Sequence, residues 1–340
     1  MTMEKGTKWE LGFALAVIVL LGVVAVLTIP TDYEVGGVPS STSLASQDPG
    51  DVVQVHVEQL QYVFNISESG SVEGHFYNLI VAHPGQVLNL TMTAPKGATT
   101  GNFYFPDYGD QVVDDQIVPL MTAYDALKVP IIPGAYAFLD GEYDGPWYTY
   151  QVGLILDIPS SGLFKQEQLS QYYSQTTQAR SQGLIGDTYN PPISFYNGSA
   201  TNVILSADPY GVFNSSIPGP TIVVRNGSQL TVEMYLSTPS PVHSYLLTYV
   251  NGYPENVTNA SIGLYGVLHN GTLVPLEQSV IRYDQPVQFK IPVNGEFPAY
   301  LYGIINPVYN NYDPYNESST LVGENFGLIM GAWGVILVEG

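Results

Sequence analysis

The sequence predicts an all-β fold: two Greek-key β-sandwiches in tandem behind one N-terminal transmembrane helix. Three observations predict it. The 340-residue chain carries one charge-free apolar run near its start, period-two alternation through most of the remaining residues, and an internal repeat of strand-like segments. Its length suits an anchor and two units, since globular domains cluster near about 100–150 residues.

The apolar run, Leu11 to Ile29, reads LGFALAVIVLLGVVAVLTI, 19 residues without a charge. At about 1.5 Å per residue it approaches the ~30 Å hydrocarbon layer. A cleaved signal peptide would have an apolar region of about 7–15 residues and a small-residue cleavage site close behind it. None follows Ile29, so an uncleaved anchor in the lipid bilayer is expected. Lys5 and Lys8 precede the run and the next basic residue is Lys96. That asymmetry places the short tail in the cytoplasm and everything after Pro30 outside, as a single-pass protein of the cell membrane. Asn-x-Ser/Thr acceptors at Asn65, Asn89, Asn197, Asn214, Asn226, Asn256, Asn259, Asn270 and Asn316 agree with an extracytoplasmic ectodomain and are its glycosylation candidates. A chain rich in Asn and Ser also makes such triplets by chance.

The expected division is residues 1–34 for tail and anchor, 35–50 for a linker rich in Ser, Pro and Gly, 51–158 for a first β unit, 159–192 for a helical linker, and 193–340 for a second β unit. VVQVHVEQLQYVFNI from Val52, NLIVAHPGQVLNLTM from Asn78 and YTYQVGLILDI from Tyr148 alternate as sandwich strands do. Leu163 to Gln182 lacks Gly and Pro and spaces Phe164, Leu169, Tyr172 and Tyr173 as a helix would.

The repeat supports the two-unit division. Ile80-Val81, Gly85, Leu88, Leu90 and Met92 match Ile222-Val223, Gly227, Leu230, Val232 and Met234 at identical spacing. Sixteen residues past each glycine, GNFYFP from Gly101 is matched with HSYLLT from His243. Ala135-Tyr136 parallels Ala299-Tyr300, and VGLIL from Val152 parallels WGVIL from Trp333. Asn251 to Gly295 and Asn306 to Gly323 are read as insertions in the second unit.

Composition narrows the function. The net charge of −21 arises from 9 Lys and Arg against 30 Asp and Glu, so nucleic acid and anionic lipid surfaces are poor partners. So few ionisable groups suit an acidic exterior, where carboxylates are largely neutral near pH ~3–4; the pattern is thermoacidophile-like and archaeal-like. There is no Cys, which excludes disulfides, iron–sulfur clusters, thiolate zinc sites and thiol nucleophiles.

These segments resemble the cupredoxin fold, and the first unit with its anchor is similar to subunit II of heme-copper terminal oxidases. The likeness runs from a charged tail with Trp9, through the single helix, to VVQVHVEQLQYVFNI as first strand, MTAPKGATTGNFYFP from Met92, and PGAYAFLDGEYDG from Pro133 at the copper-ligand loop. The second unit, with PGPTIVVRNGSQLTVEM from Pro218 and MGAWGVILVEG from Met330, is more like sulfocyanins and the opening domains of multicopper oxidases. These are fold markers and specify architecture better than activity.

The departures from the family carry the function. Type 1 copper takes two His and a Cys thiolate with a weak axial Met, and the dinuclear copper A centre takes two bridging Cys; neither donor set exists in this chain. Aligned on the family, the first unit has Gly101 at the His position and Asp140 at the Cys position; the second has His243, Ile304 at the Cys position, and its second His position near Gly327. Members without copper A belong to quinol oxidases. The resemblance therefore implies a subunit with no cofactor of its own, whose partners are the polytopic heme-copper oxidase subunit I, where heme and copper reside, and other respiratory subunits.

Two weaker metal readings stand beside this. His243, with Met330 near it, is the best residual copper candidate, although a lone imidazole has the ligand count of a hydrogen-bonded structural His. Asp140, Glu142 and Asp144, with Asp107, Asp110, Asp114 and Asp115 in the loop after GNFYFP, offer oxygens for Ca²⁺, against the simpler reading of acidic hydrated turns. His56, His75, His83 and His269 are read as structural or solvent-facing. No GxSxG elbow and no phosphate-binding glycine loop occurs. The expected function is a copper-free, subunit II-like component of a quinol-type terminal oxidase. A cell-surface adhesive glycoprotein built of degenerate modules is the alternative.

Overall fold

Branched and aromatic side chains fit a pleated surface, and each face of a strand takes every second residue, so the alternating runs rich in Val, Ile and Tyr form strands. The computed structural model describes residues 52–60, 63–68, 78–96, 100–108, 111–141, 152–181, 193–196, 200–207, 213–214, 219–237, 259–282, 285–304 and 333–340. The apolar run Leu11 to Ile29 and the linker lie outside the described residues. Among the described residues no helix is long and apolar enough to cross a membrane.

The strands are β1 (Val52–Leu60), β2 (Val63–Glu68), β3 (Leu79–Ala82), β4 (Val87–Thr93), β5 (Gly101–Phe105), β6 (Val113–Ile117), β7 (Thr122–Lys128), β8 (Gly134–Leu139) and β9 (Val152–Asp157). Helix α1 (Gln166–Ser181) comes next, inside the range its pattern predicts. Then come β10 (Ile193–Tyr196), β11 (Ala200–Ala207), β12 (Thr221–Arg225), β13 (Gln229–Leu236), β14 (Asn259–Val267), β15 (Leu273–Arg282), β16 (Val287–Pro292), β17 (Ala299–Ile304) and β18 (Trp333–Glu339). The run from Val52 is an antiparallel hairpin, with Val57 facing Ile66.

The first sandwich has a sheet ordered β2-β1-β4-β7 over one ordered β3-β9-β8-β5-β6. The second has β11-β13-β16 over β10-β12-β18-β17-β14-β15. Apart from β2 and β10, which have no counterpart, the plans correspond, including the parallel pairs β1–β4 and β11–β13 and β3–β9 and β12–β18. This is an all-β, sandwich-like arrangement consistent with the cupredoxin-like fold. Register repeats as well: Ala135 faces Leu156 as Ala299 faces Leu337. At the turns before β4 and β13, Gly85 and Gly227 adopt φ of 74° and 78°, the left-handed conformation that favours glycine.

One repeat match fails. The strand that pairs as β5 does, between the counterparts of β6 and β8, is β14 and not the segment at His243. The match assumed equal spacing after Gly227. The extra residues instead precede β14, and the stretch from Asn251 to Gly295, read as an insertion, supplies β14, β15 and β16.

Alternate residues of the six-stranded sheet serve two cores. Ile222, Val224, Tyr300, Tyr302, Ile336 and Val338 fill the second sandwich. Val223, Ala299, Leu301, Trp333, Val335 and Leu337 join the first sandwich's cluster. A sheet covered on both faces needs unbroken apolar strands, which accounts for WGVILV in β18. At this seam the buried Trp333 donates from Nε1 to Asn78 Oδ1 at 3.1 Å, and Asn78 donates to the Val152 carbonyl. His83 reaches the Ile158 carbonyl through Nδ1 at 2.9 Å, and His269 reaches the next carbonyl, Pro159, at 3.0 Å. Helix α1, otherwise polar, buries Leu169, Tyr172, Thr176 and Ala179, and Tyr172 donates to the Ala135 carbonyl at 2.7 Å.

A Cβ at Gly153 would fall 1.9 Å from Phe138 Cζ, whereas at Gly295 nothing lies nearer than 3.6 Å. Gly153→Ala is expected to cost about 1–3 kcal/mol by overpacking, and Gly295→Ala less than about 0.5 kcal/mol. Urea unfolding of the two variants checks the contrast.

Candidate functional site

The end of β1, the start of β5 and the end of β8 meet at one pole of the first sandwich. Gln59, Asn102 and Asp140 are buried there. Polar groups withdrawn from water need partners, and these supply one another. Asn102 donates from its backbone N–H to Asp140 Oδ1 at 3.1 Å, and Gln59 donates from Nε2 to Asp140 Oδ2 at 3.4 Å. The Asn102 side chain donates to Asp114 Oδ1 and accepts from the Gly141 N–H. The Asp140 carboxylate, which the resemblance aligned with a Cys, thus ties β5 to β8 and is turned inward onto amides. Gly101, at the His position, offers no side chain. A copper ion does not fit this donor set, because thiolate and imidazole are both missing.

The second sandwich can be placed by register. Tyr104 faces Leu139 in the first and Gly263 faces Gly303 in the second. Counting back three positions puts Ala260, not His243, at the place of Gly101; Ile304 keeps the place of Asp140. His243, Met330 and Gly327 lie outside the described residues.

For the calcium reading, Glu142, Asp144 and Asp110 also lie outside the described residues. Asp114 and Asp115 are in β6, not in a loop, facing Tyr104 and Phe103. Consecutive strand residues project to opposite faces, so these two carboxylates do not converge on one cation. Among the described residues no group of three or more His, Asp or Glu gathers as a metal site. Besides His83 and His269, His56 is held by Thr93 Oγ1 at 3.1 Å. His75 lies outside the described residues.

Asp115 has a different neighbour, Asp125 of β7. Burial first, then a hydrogen bond from one carboxyl to the other and the charges of Asp125 and Asp114, push the Asp115 pKa up to about 7. Two adjacent carboxyls sharing a proton hold the β6 and β7 edges together while that proton is present.

Of the glycosylation candidates, Asn214, Asn226 and Asn270 are exposed. Asn89 lies within β4, half-buried, with Oδ1 lacking a partner. Asn65 and Asn259 are in β2 and β14. Asn197, Asn256 and Asn316 lie outside the described residues.

Gln59, Asn102 and Asp157 are the residues sequence reasoning missed. Gln59 and Asn102 gain their role only where distant strands meet. Asp157 is visible as the one acid closing the apolar run VGLILD.

No family model and no curated protein matches the chain. Among solved structures, it is similar to a chain of a heme-copper terminal oxidase dimer determined by cryo-EM, at 18% identity over 44% of this chain and 99% of that one, with a TM-score of 0.26. It is also similar to copper nitrite reductase from Nitrosomonas europaea, at 10% identity over 85% of this chain and 94% of that one, TM-score 0.27. The copper-containing nitrite reductase of Thermus scotoductus SA-01 matches at 11% identity over 85% and 61%, TM-score 0.25. Likenesses this loose carry no functional weight, and the cupredoxin-like fold rests on the strand order, pairing and register above.

The geometry sets two expected outcomes. Asp140→Ala removes the acceptor for two buried donors and is expected to destabilise by about 1–3 kcal/mol, read by chemical denaturation. The Asp115 pKa is raised above the unfolded value near 3.9, so its contribution is complete below about pH 4 and is lost as pH rises through about 7. Asp125→Asn should therefore raise the melting temperature at pH 8 and leave it nearly unchanged at pH 4.

Proposed function

We propose that the chain is a non-redox, subunit II-like component of a membrane respiratory terminal oxidase of the quinol-oxidising kind, scaffolding the heme subunit and docking partners on the outer face. The observation that carries this is the closed pole. Where the resembling subunits carry metal ligands, Asp140, Asn102 and Gln59 spend their polar groups on one another, in a chain with no Cys. The resemblance of the anchor, the first strands and the ligand-loop segment supports the respiratory setting. The work left to such a subunit is geometric. Its apolar run would sit beside the polytopic partner, which holds heme and copper, while the fused sandwiches present a rigid outer surface. Electrons would enter the partner directly.

One observation favours the second reading, a cell-surface glycoprotein of degenerate modules: Asn214, Asn226 and Asn270 all stand exposed. Purification from native membranes in mild detergent separates the two. Heme of the oxidase is expected to co-migrate with the chain; a heme-free, self-assembled preparation would overturn the oxidase reading.

A further inference from the structure

Packing alone does not account for the carboxyl at the end of β9. Asp157 is 0% exposed, and neither of its side-chain oxygens has a hydrogen-bond partner. It pairs with Ala82 of β3 on one side and with Gly134 of β8 on the other. Directly opposed strand residues project from the same face. The carboxyl therefore shares the face on which the Tyr172 ring covers Gly134, where a Cβ would come within 2.4 Å of the ring. A lone carboxylate in such a place is far more costly than a neutral carboxylic acid, so the group keeps its proton. Burial pushes its pKa up to about 9.

The ionisable groups on the elements around it do not relieve it. Helix α1 contributes Tyr172, whose hydroxyl burial pushes up to about 12, and Glu167, which is exposed; the side chain of Arg180 lies outside the described residues. Strand β8 contributes Tyr136, whose hydroxyl donates to the Ile132 carbonyl. The turn after β3 contributes His83 and the turn after β14 contributes His269. None of these bonds the Asp157 oxygens.

The two histidines both grip the chain just after Asp157. Each holds a carbonyl through Nδ1, Ile158 and Pro159 in turn. A carbonyl only accepts, so Nδ1 carries the hydrogen in both. Alkali therefore charges a buried carboxyl whose oxygens have no partner.

We propose that a single proton on Asp157 locks the α1 end of the first sandwich, so that the fold is firm in acidic surroundings and loosens as they turn neutral to alkaline. The proposal is independent of the oxidase reading. The unfolded chain releases this proton near pH ~4, whereas the folded chain keeps it up to about pH 9. Between those limits the folded state binds one proton more, so this group lowers the folding constant about tenfold for each pH unit gained. Its contribution is complete below about pH 4 and falls away toward pH 9.

The test uses the full chain in detergent micelles, wild type beside Asp157→Asn, with urea unfolding at intervals from pH 5 to pH 8. Titrations common to both proteins cancel in the ratio of their folding constants. That ratio should rise about a thousandfold in favour of the Asn variant across the range; parallel curves would overturn the proposal. Should the variant not fold, infrared spectra of the wild type labelled with ¹³C-aspartate decide. A protonated carboxyl band persisting at pH 8, above the titration of Asp115, supports the lock, and fully ionised aspartates at pH 8 reject it.

Discussion

The structure depends on one constraint: the strands β12, β17 and β18 of the second sandwich's six-stranded sheet are buried on both faces. Its inner residues make the second core, and Val223, Leu301, Trp333 and Leu337 complete the first. Neither sandwich can be withdrawn without exposing the other's apolar surface. The Trp333–Asn78 hydrogen bond fixes the sliding register of this contact, because a buried indole N–H without an acceptor would be costly. The unbroken apolar character of β8, β9 and β18 has the same origin, since these strands have no solvent face on which to place polar residues.

The same economy shapes the pole. Where strands end, buried polar groups must find partners. Here Gln59, Asn102 and Asp140 meet through hydrogen bonds between β1, β5 and β8. This cross-braces the strand ends. The residues doing so come from positions 59, 102 and 140, so the brace is a tertiary property of the chain.

Much of the fold was legible in the sequence, and the reasons are local. The repeat is readable where a turn forces glycine to positive φ, at Gly85 and Gly227, and where two-faced burial demands apolar runs, at VGLIL and WGVIL. It misleads between these anchors. HSYLLT and GNFYFP share strand-like composition, and composition does not count the residues inserted before β14. Asp140 was legible as the acid that follows β8. Its partners were not, since nothing near Gln59 or Asn102 announces a buried acceptor 81 or 38 positions away. The protonation of Asp157 was hidden for the same reason: a sequence shows an acid, while its charge depends on the surroundings that folding builds.

The tie between Asn78 and Trp333 spans 255 positions. Contacts that distant close late, because the intervening loop must lose its freedom first. As the chain is made, the outer faces of β8 and β9 must wait for β12, β17 and β18. During that interval a broad greasy surface stands open to self-association, and any helper that shields it, or any slowing of emergence before Trp333, would govern the yield of folded protein more than the strength of the finished core.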